Sequence, residues 1–383
     1  MPESVESVTL EACLDQTAYP IRIGSGILLE EVPALLERLT ADRKVAIACD
    51  AFFLESTAQL LSDRLRKAGF TVFLHPMTGG KSNKTLEELV HLYDLMERNE
   101  FARDSSLIAV GGGVIGDTAG FAASTFLRGI HLIQVPTTVT SQIDSAIGGK
   151  VGINFNKTIN AIGTYYHPRG VFIDLDFLQE LPERDYIAGL AEIIKCAVIC
   201  DAAFFEYLQK NAERILDRDP SALLHIYRRT IEIKLDHVRG DVQEFQQKRI
   251  RLNYGHTIGH AIELATAGRE ELYRHGEGVS LGMVAASFLA ERLFKRDGKL
   301  RALHEAILKR YGLPIRVDLK RVGASRDEFI QRCLQHVRKD KKRQAMHVRF
   351  ILPEAIGRTV VNDAVPAERI REAVAMLCEA PAP

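Results

Sequence analysis

The chain has 383 residues, 46% hydrophobic and 26% charged, and its 50 Lys and Arg balance its 50 Asp and Glu. That length exceeds one ordinary hydrophobic core, so two domains are expected. The charge balance argues against nucleic acid or an anionic membrane as partner, and no apolar run reaches the roughly 18 residues a membrane span needs. Met1–Leu10 carries acids and no apolar core, so a secretory signal is not expected. Cys13, Cys49, Cys196, Cys200, Cys333 and Cys378 form no CxxC pair. They read as ordinary thiols packed as small hydrophobes, which suits a reducing cytoplasm.

Lys44–Asp50 (KVAIACD) is a short apolar run ending in an acid, and reads as a strand. Phe52–Gly69 reads as a helical stretch closed by glycine, and Thr71–His75 as a second strand. Leu86, Leu89, Leu92 and Leu95 recur at helical spacing within Thr85–Asn99. Ser106–Val110 is a buried strand running into Gly111-Gly112-Gly113, and a further helix precedes a strand at His131–Val135. This alternation predicts a parallel sheet with helices on both faces. From about Pro182 the period changes. Leu190–Ile199, Ala222–Leu235, Thr257–Ala267, Val279–Phe294 and Arg301–Tyr311 all read as helices. The expected organisation is therefore an α/β domain over 1–180 and an all-α domain over 181–383. A ligand is expected where the carboxyl edge of the sheet meets the helical domain.

Three constellations carry chemistry. Gly111-Gly112-Gly113-Val114-Ile115-Gly116-Asp117 follows a strand and opens a helix. Glycines let the backbone approach a pyrophosphate, and a helix N-terminus supplies oriented N–H donors. The spacing is not GxGxxG, and a plain strand-to-helix turn would use the same residues; the position favours a nucleotide. Asp50 closes an earlier strand, where a carboxylate can hold an adenosine ribose. Second, His256 and His260 stand i,i+4 on one helical face, with His275 fifteen residues further on. Glu192 and Lys195 stand i,i+3 on another predicted helix. Two imidazoles and a carboxylate suit zinc and leave a coordination position open. Histidines satisfied at the surface or in the core are the alternative, against which the third histidine and the Glu/Lys helix count. Third, Lys150, Lys195, Lys234 and Lys341–Lys342 sit beside structured sequence. Singly each fits a solvated charge; converging, they suit phosphate and carboxylate.

The successive segments GGGVIGDTAGFAASTFLRG, VPTT, DSAIGGKVGIN, LPERDYIAGLAEIIK, LNYGHTIGHAIE and HGEGVSLGM resemble the signatures of the 3-dehydroquinate synthase family, in order, from roughly residue 40 to 350. The resemblance implies an N-terminal Rossmann-like NAD-binding domain and a C-terminal helical metal- and substrate-binding domain. It implies Glu192, His256 and His275 as ligands of a catalytic zinc, replaceable by cobalt, with His260 facing substrate. NAD contacts would come from Asp50, Lys84, Gly112, Gly113, Val114, Asp117, Thr137, Thr138 and Asp144. Asp144, Lys150, Asn160, Lys195, Lys234, Arg249, Asn253 and Lys341 would surround a small phosphorylated sugar acid. Arg128 would reach a neighbouring subunit, which implies a homodimer.

The implied reaction is a transient NAD oxidation, phosphate elimination, re-reduction and aldol closure to a carbocycle. Arg249-Ile250-Arg251-Leu252-Asn253 and Gly148-Gly149-Lys150 side with a dehydroquinate synthase, because Arg249 would bind a substrate carboxylate. The alternatives are an amino-dehydroquinate synthase, a sedoheptulose 7-phosphate cyclase, or a metal-dependent polyol dehydrogenase of the same fold, which would release NADH. A catalytically dead relative is disfavoured by the intact Glu192, His256 and His275. Two departures stand out. Ile159 replaces a family lysine, with Lys157 nearby as a substitute, and Lys81 replaces a family glutamate beside the nucleotide.

Overall fold

Apolar residues on both faces of a strand require cover on both sides. The strands here are Val8–Leu14 (β1), Thr17–Gly24 (β2), Lys44–Asp50 (β3), Thr71–Met77 (β4), Ser106–Gly111 (β5), His131–Pro136 (β6), Lys150–Phe155 (β7), Thr158–Tyr165 (β8) and Gly170–Asp174 (β9). In β3, Val45, Ile47 and Cys49 enter one core cluster, whereas Ala46 and Ala48 enter another. Successive side chains point to opposite faces, so this one strand serves two cores. The computed structural model describes residues 7–14, 17–156, 158–244, 248–266, 272–343 and 348–379, without the side chains of 339–343.

Two compact units emerge. The first comprises residues 1–181 with 220–243, and its sheet runs β1-β2-β9-β6-β5-β3-β4. Only the β1–β2 pairing is antiparallel; the others are parallel. The predicted strands all appear, and β4 extends two residues further than the sequence indicates. Thr85 caps helix Leu86–Arg98 by accepting from the Glu88 N–H. Strands β7 and β8 form a separate antiparallel hairpin.

The second unit comprises residues 182–219 with 244–383. It is built on helices Glu183–Cys200, His256–Ala265, His275–Phe294, Lys299–Arg310 and Arg326–Arg343. It also carries an antiparallel hairpin, Phe350–Ala355 (β10) with Arg358–Asn362 (β11), which the all-α expectation did not contain. Nor does one cut near residue 180 describe the units. Helix Pro220–Val238 belongs to the first unit, where it packs on β1, β2 and the turn Ser141–Ser145. Among the described residues no helix is long and apolar enough to cross a membrane. The cysteines are all free thiols.

Candidate functional site

Three helices of the second unit bring the candidate metal ligands together, and glycines set how closely they pack. A Cβ on Gly276 would run into the Ala188 carbonyl, and one on Gly282 into the Gly255 carbonyl. Gly255 itself has φ 78°, a left-handed turn that an L side chain adopts only with strain, and it opens helix His256–Ala265. The GHTIGH and HGEG segments therefore combine donor residues with the small residues that let donors converge.

Glu192 is almost wholly buried, and its Oε1 makes no hydrogen bond. That oxygen lies 3.6 Å from His256 Nε2 and 3.5 Å from His275 Nε2. Its other oxygen pairs with the Lys195 ammonium. Burial alone would raise the Glu192 pKa. The Lys195 charge, joined by the two imidazoles, outweighs burial and holds the carboxyl well below its usual range. Burial pushes His256 down to about 3, with Glu192 opposing the shift. Its Nδ1 faces the Tyr254 carbonyl at 3.1 Å, so Nδ1 carries the proton and Nε2 presents a lone pair.

His275 is half-buried, and its pKa is pushed up to about 10, because Glu192 and Glu263 together outweigh desolvation. Glu263 is the closer partner: its Oε1 lies 2.9 Å from His275 Nδ1. Glu263 closes the LNYGHTIGHAIE segment and is absent from the ligand set that the resemblance implies. Its spacing of three residues from His260 and seven from His256 keeps it on their helical face, which was the available signal.

His260 joins this cluster. Its ring centroid lies 5.2 Å from that of His256 and 5.5 Å from that of His275. One ring nitrogen from each of the three histidines falls within 4.8 Å of the others. The geometry thus makes His260 a neighbour of the donor set. Arg249 is buried on the turn Arg249–Asn253, with its Nε 3.6 Å from Glu244 Oε1. Asn253 is exposed on the same turn. Lys341 and Lys157 lie outside the residues whose side chains are described.

In the first unit several of the other candidates follow the carboxyl ends of strands. Asp50 ends β3 and accepts a hydrogen bond from the Phe52 N–H. Gly112 precedes helix Gly113–Thr125, which carries Val114 and Asp117, and Thr137 and Thr138 follow β6. Lys84 is buried and donates to Asp117 Oδ2 and Asn160 Oδ1, both at 2.5 Å. Burial raises the Asp117 pKa, and Lys84 counters it. Lys234 donates to Asp144 Oδ1 at 2.5 Å. Lys150 is exposed at the start of β7, and Arg128 is exposed on the turn Phe126–Arg128 with φ 67°. Lys81 lies on the short turn Lys81–Asn83, and Ile159 is exposed on β8.

Both clusters fit the groups the resemblance implies. A buried carboxylate oxygen without a hydrogen bond, flanked by two imidazole nitrogens, is a donor set for a divalent cation of the zinc type. In the first unit a Cβ on Gly112 would press on Thr138 Cγ2 at 3.3 Å, and one on Gly113 on Ser145 Oγ at 3.1 Å. That backbone is bare at a helix N-terminus, as close approach by a pyrophosphate requires.

A parallel sheet with a glycine-lined carboxyl edge, accompanied by a helical carboxylate–imidazole cluster, defines a nucleotide-and-metal class of α/β enzyme. The chain matches the 3-dehydroquinate synthase N-terminal family model over residues 74–188 and the C-terminal model over 189–343. It is 37% identical to a 3-dehydroquinate synthase of Rippkaea orientalis, covering 95% of this chain and 97% of that one. The chain belongs to the 3-dehydroquinate synthase family. Two solved structures share its fold at 26% identity. One is 2-epi-5-epi-valiolone synthase from Streptomyces hygroscopicus subsp. jinggangensis 5008 with NAD+ and Zn2+ bound, at TM-score 0.84 over 95% of this chain and 98% of that one. The other is 2-deoxy-scyllo-inosose synthase complexed with carbaglucose-6-phosphate, NAD+ and Co2+, at TM-score 0.82 over 96% and 99%.

Proposed function

We propose that the chain is a 3-dehydroquinate synthase, converting 3-deoxy-D-arabino-heptulosonate 7-phosphate to 3-dehydroquinate and phosphate. The observation that carries the reading is the buried Glu192 Oε1, which makes no hydrogen bond and faces His256 and His275, in a chain of this family. Glu192, His256 and His275 hold the metal, zinc or cobalt, which when bound polarises a substrate oxygen as a Lewis acid. The glycine edge Gly112–Gly113, with Val114, Asp117, Thr137 and Thr138, holds NAD, which supplies reversible hydride transfer. Asp50 serves the ribose.

The chain's own residues then bind, orient and hold protons. Lys195, paired to Glu192, keeps that carboxylate charged, so its oxygen is always available as a ligand. Glu263 and the Tyr254 carbonyl fix the two imidazoles. Arg249 supplies a planar fork for the substrate carboxylate, which a sugar phosphate lacking that group leaves unused. His260 stands beside the ligands and is assigned to the substrate. The remaining contacts, from Lys150, Lys234, Asn160, Asp144, Asn253 and Lys341, are part of the same reading. So are the homodimer through Arg128, a cytoplasmic location and a place in aromatic biosynthesis.

The test is an incubation with NAD, zinc and 3-deoxy-D-arabino-heptulosonate 7-phosphate. Free phosphate and carbocycle accumulate over many turnovers, while NADH absorbance stays at baseline. Sedoheptulose 7-phosphate and glycerol serve as comparisons. Turnover on sedoheptulose 7-phosphate in preference moves the substrate to another cyclase, and NADH released in step with product indicates a dehydrogenase.

A further inference from the structure

His304 lies outside every motif noted in the sequence, and it is buried in helix Lys299–Arg310 with 1% of its surface exposed. Its Nδ1 faces the Leu300 carbonyl at 2.7 Å. A carbonyl can only accept, so Nδ1 carries the proton. Burial pushes the imidazole down to about 4, which keeps it neutral near pH 7. A neutral ring with Nδ1 protonated offers Nε2 as an acceptor. That Nε2 lies 2.9 Å from the Tyr254 hydroxyl, which is fully buried and has one proton to give. The Met283 carbonyl competes for that proton from 3.3 Å, so His304 is the nearer acceptor. Tyr254 in turn offers its backbone carbonyl to His256 Nδ1 at 3.1 Å. The peptide plane carrying that carbonyl continues into the left-handed Gly255, where an added Cβ would meet the Val279 carbonyl at 2.9 Å and Met283 Cγ at 3.0 Å.

We propose that His304 and Tyr254 form an outer support for the donor cluster, holding the Tyr254 carbonyl where it fixes the tautomer and ring orientation of His256. Each link is oriented by the one before it: the Leu300 carbonyl sets His304, His304 sets the Tyr254 hydroxyl, and the anchored tyrosine sets its own carbonyl. Glu263 performs the same service for His275 in a single step. The two imidazoles are thus held by different means, one by a charged carboxylate and one by a neutral chain. His256 lies 3.6 Å from Glu192 Oε1, and the neutral chain adds no further buried charge beside the Lys195–Glu192 pair, where one would be costly. This inference rests on the metal reading given above. His304 and Tyr254 are positioning residues, since neither offers an atom to the metal itself.

The experiment measures zinc affinity by chelator competition, and the visible spectrum of the cobalt form, in wild type, Tyr254→Phe, His304→Leu and the double variant. Direct outer-shell partners change metal affinity about 10- to 100-fold, so a support one link further out is expected to cost about three- to tenfold. Tyr254→Phe removes a single oxygen and keeps the packing, so it reports even if His304→Leu folds poorly. Both single variants should weaken zinc by similar factors and shift the cobalt bands. The double variant should be no weaker than either, because one chain breaks once. His304→Gln, which retains an acceptor, should recover part of the loss. Ile258→Val, a core truncation on the same helix, should lower thermal stability without moving zinc affinity. Folded Tyr254→Phe with wild-type zinc affinity and spectrum overturns the proposal, and so do additive losses. A wild type that binds no zinc removes the metal reading itself, a different failure from wild-type binding that the variants leave unchanged.

Discussion

The two clusters treat their charges in opposite ways. In the first unit the ionic groups are already matched: Lys84 with Asp117, and Lys234 with Asp144. In the second unit a carboxylate oxygen is buried without a hydrogen bond, and the surroundings drive His256 down and His275 up. Glu192 and Glu263 draw positive charge to one point that Lys195 neutralises only on its far side. A matched cluster can accept a ligand only by exchanging partners. An unmatched one has a place for a cation from the start. For the proposed metal, unsatisfied polarity is therefore a sharper marker than convergence of residue types.

If that contrast holds, the largest effect follows removal of a ligand. His256→Ala should lose zinc, and activity should fall at least about 100-fold, more than any change outside the donor set. Metal analysis of the purified variant checks it, and stoichiometric zinc with intact activity would sink the assignment. Glu263→Gln keeps the shape but withdraws the charge from His275. Zinc affinity should drop about 10- to 100-fold with the fold intact, as chelator competition can read. An unchanged affinity would mean that packing alone orients His275.

Arg249 lies between the two cases, since Glu244 already stands by it. Hydrogen bonds to charged groups are worth roughly 1.5–3 kcal/mol, or about 10- to 150-fold. Arg249→Ala should lower kcat/KM on the carboxylated substrate by at least about tenfold while zinc and NAD still bind, and Arg249→Lys should recover only part. Equal losses on a substrate without a carboxylate would point to a structural role.

The matched side responds differently. Lys84→Met leaves Asp117 without its cation, beside Asp144. The Asp117 side chain keeps 19% of its surface exposed, so the cost falls between an exposed and a buried pair, about 1–3 kcal/mol. Denaturant titration should show that loss, and it should shrink as the pH falls and Asp117 takes up a proton. The smallest effect is expected at Lys81. Lys81→Glu restores a ribose acceptor and repels a 2′-phosphate, so the NAD to NADP affinity ratio should rise about two- to fivefold. A ratio that does not move would reduce Lys81 to a solvated surface charge.

Much of this protein is legible along the chain. The alternation of short apolar runs with helical periods determines the parallel sheet, because burial on both faces leaves few other arrangements for such strands. The histidine spacing and the Glu192–Lys195 pair are local facts of helix geometry, so their shared faces follow from 3.6 residues per turn. What the tertiary structure alone decided are choices among partners. Helix Pro220–Val238 has an apolar face that could cover either unit, and its period cannot say which; packing assigned it to the first. The hairpins at 150–165 and 350–362 depend on pairing between strands whose sequence does not specify an opposite edge. Glu263 and His304 are ordinary helical residues until a fold brings His275 to one and Tyr254 to the other. A hydrogen bond between distant residues is a property of two positions at once, and a single chain read from end to end states only one position at a time.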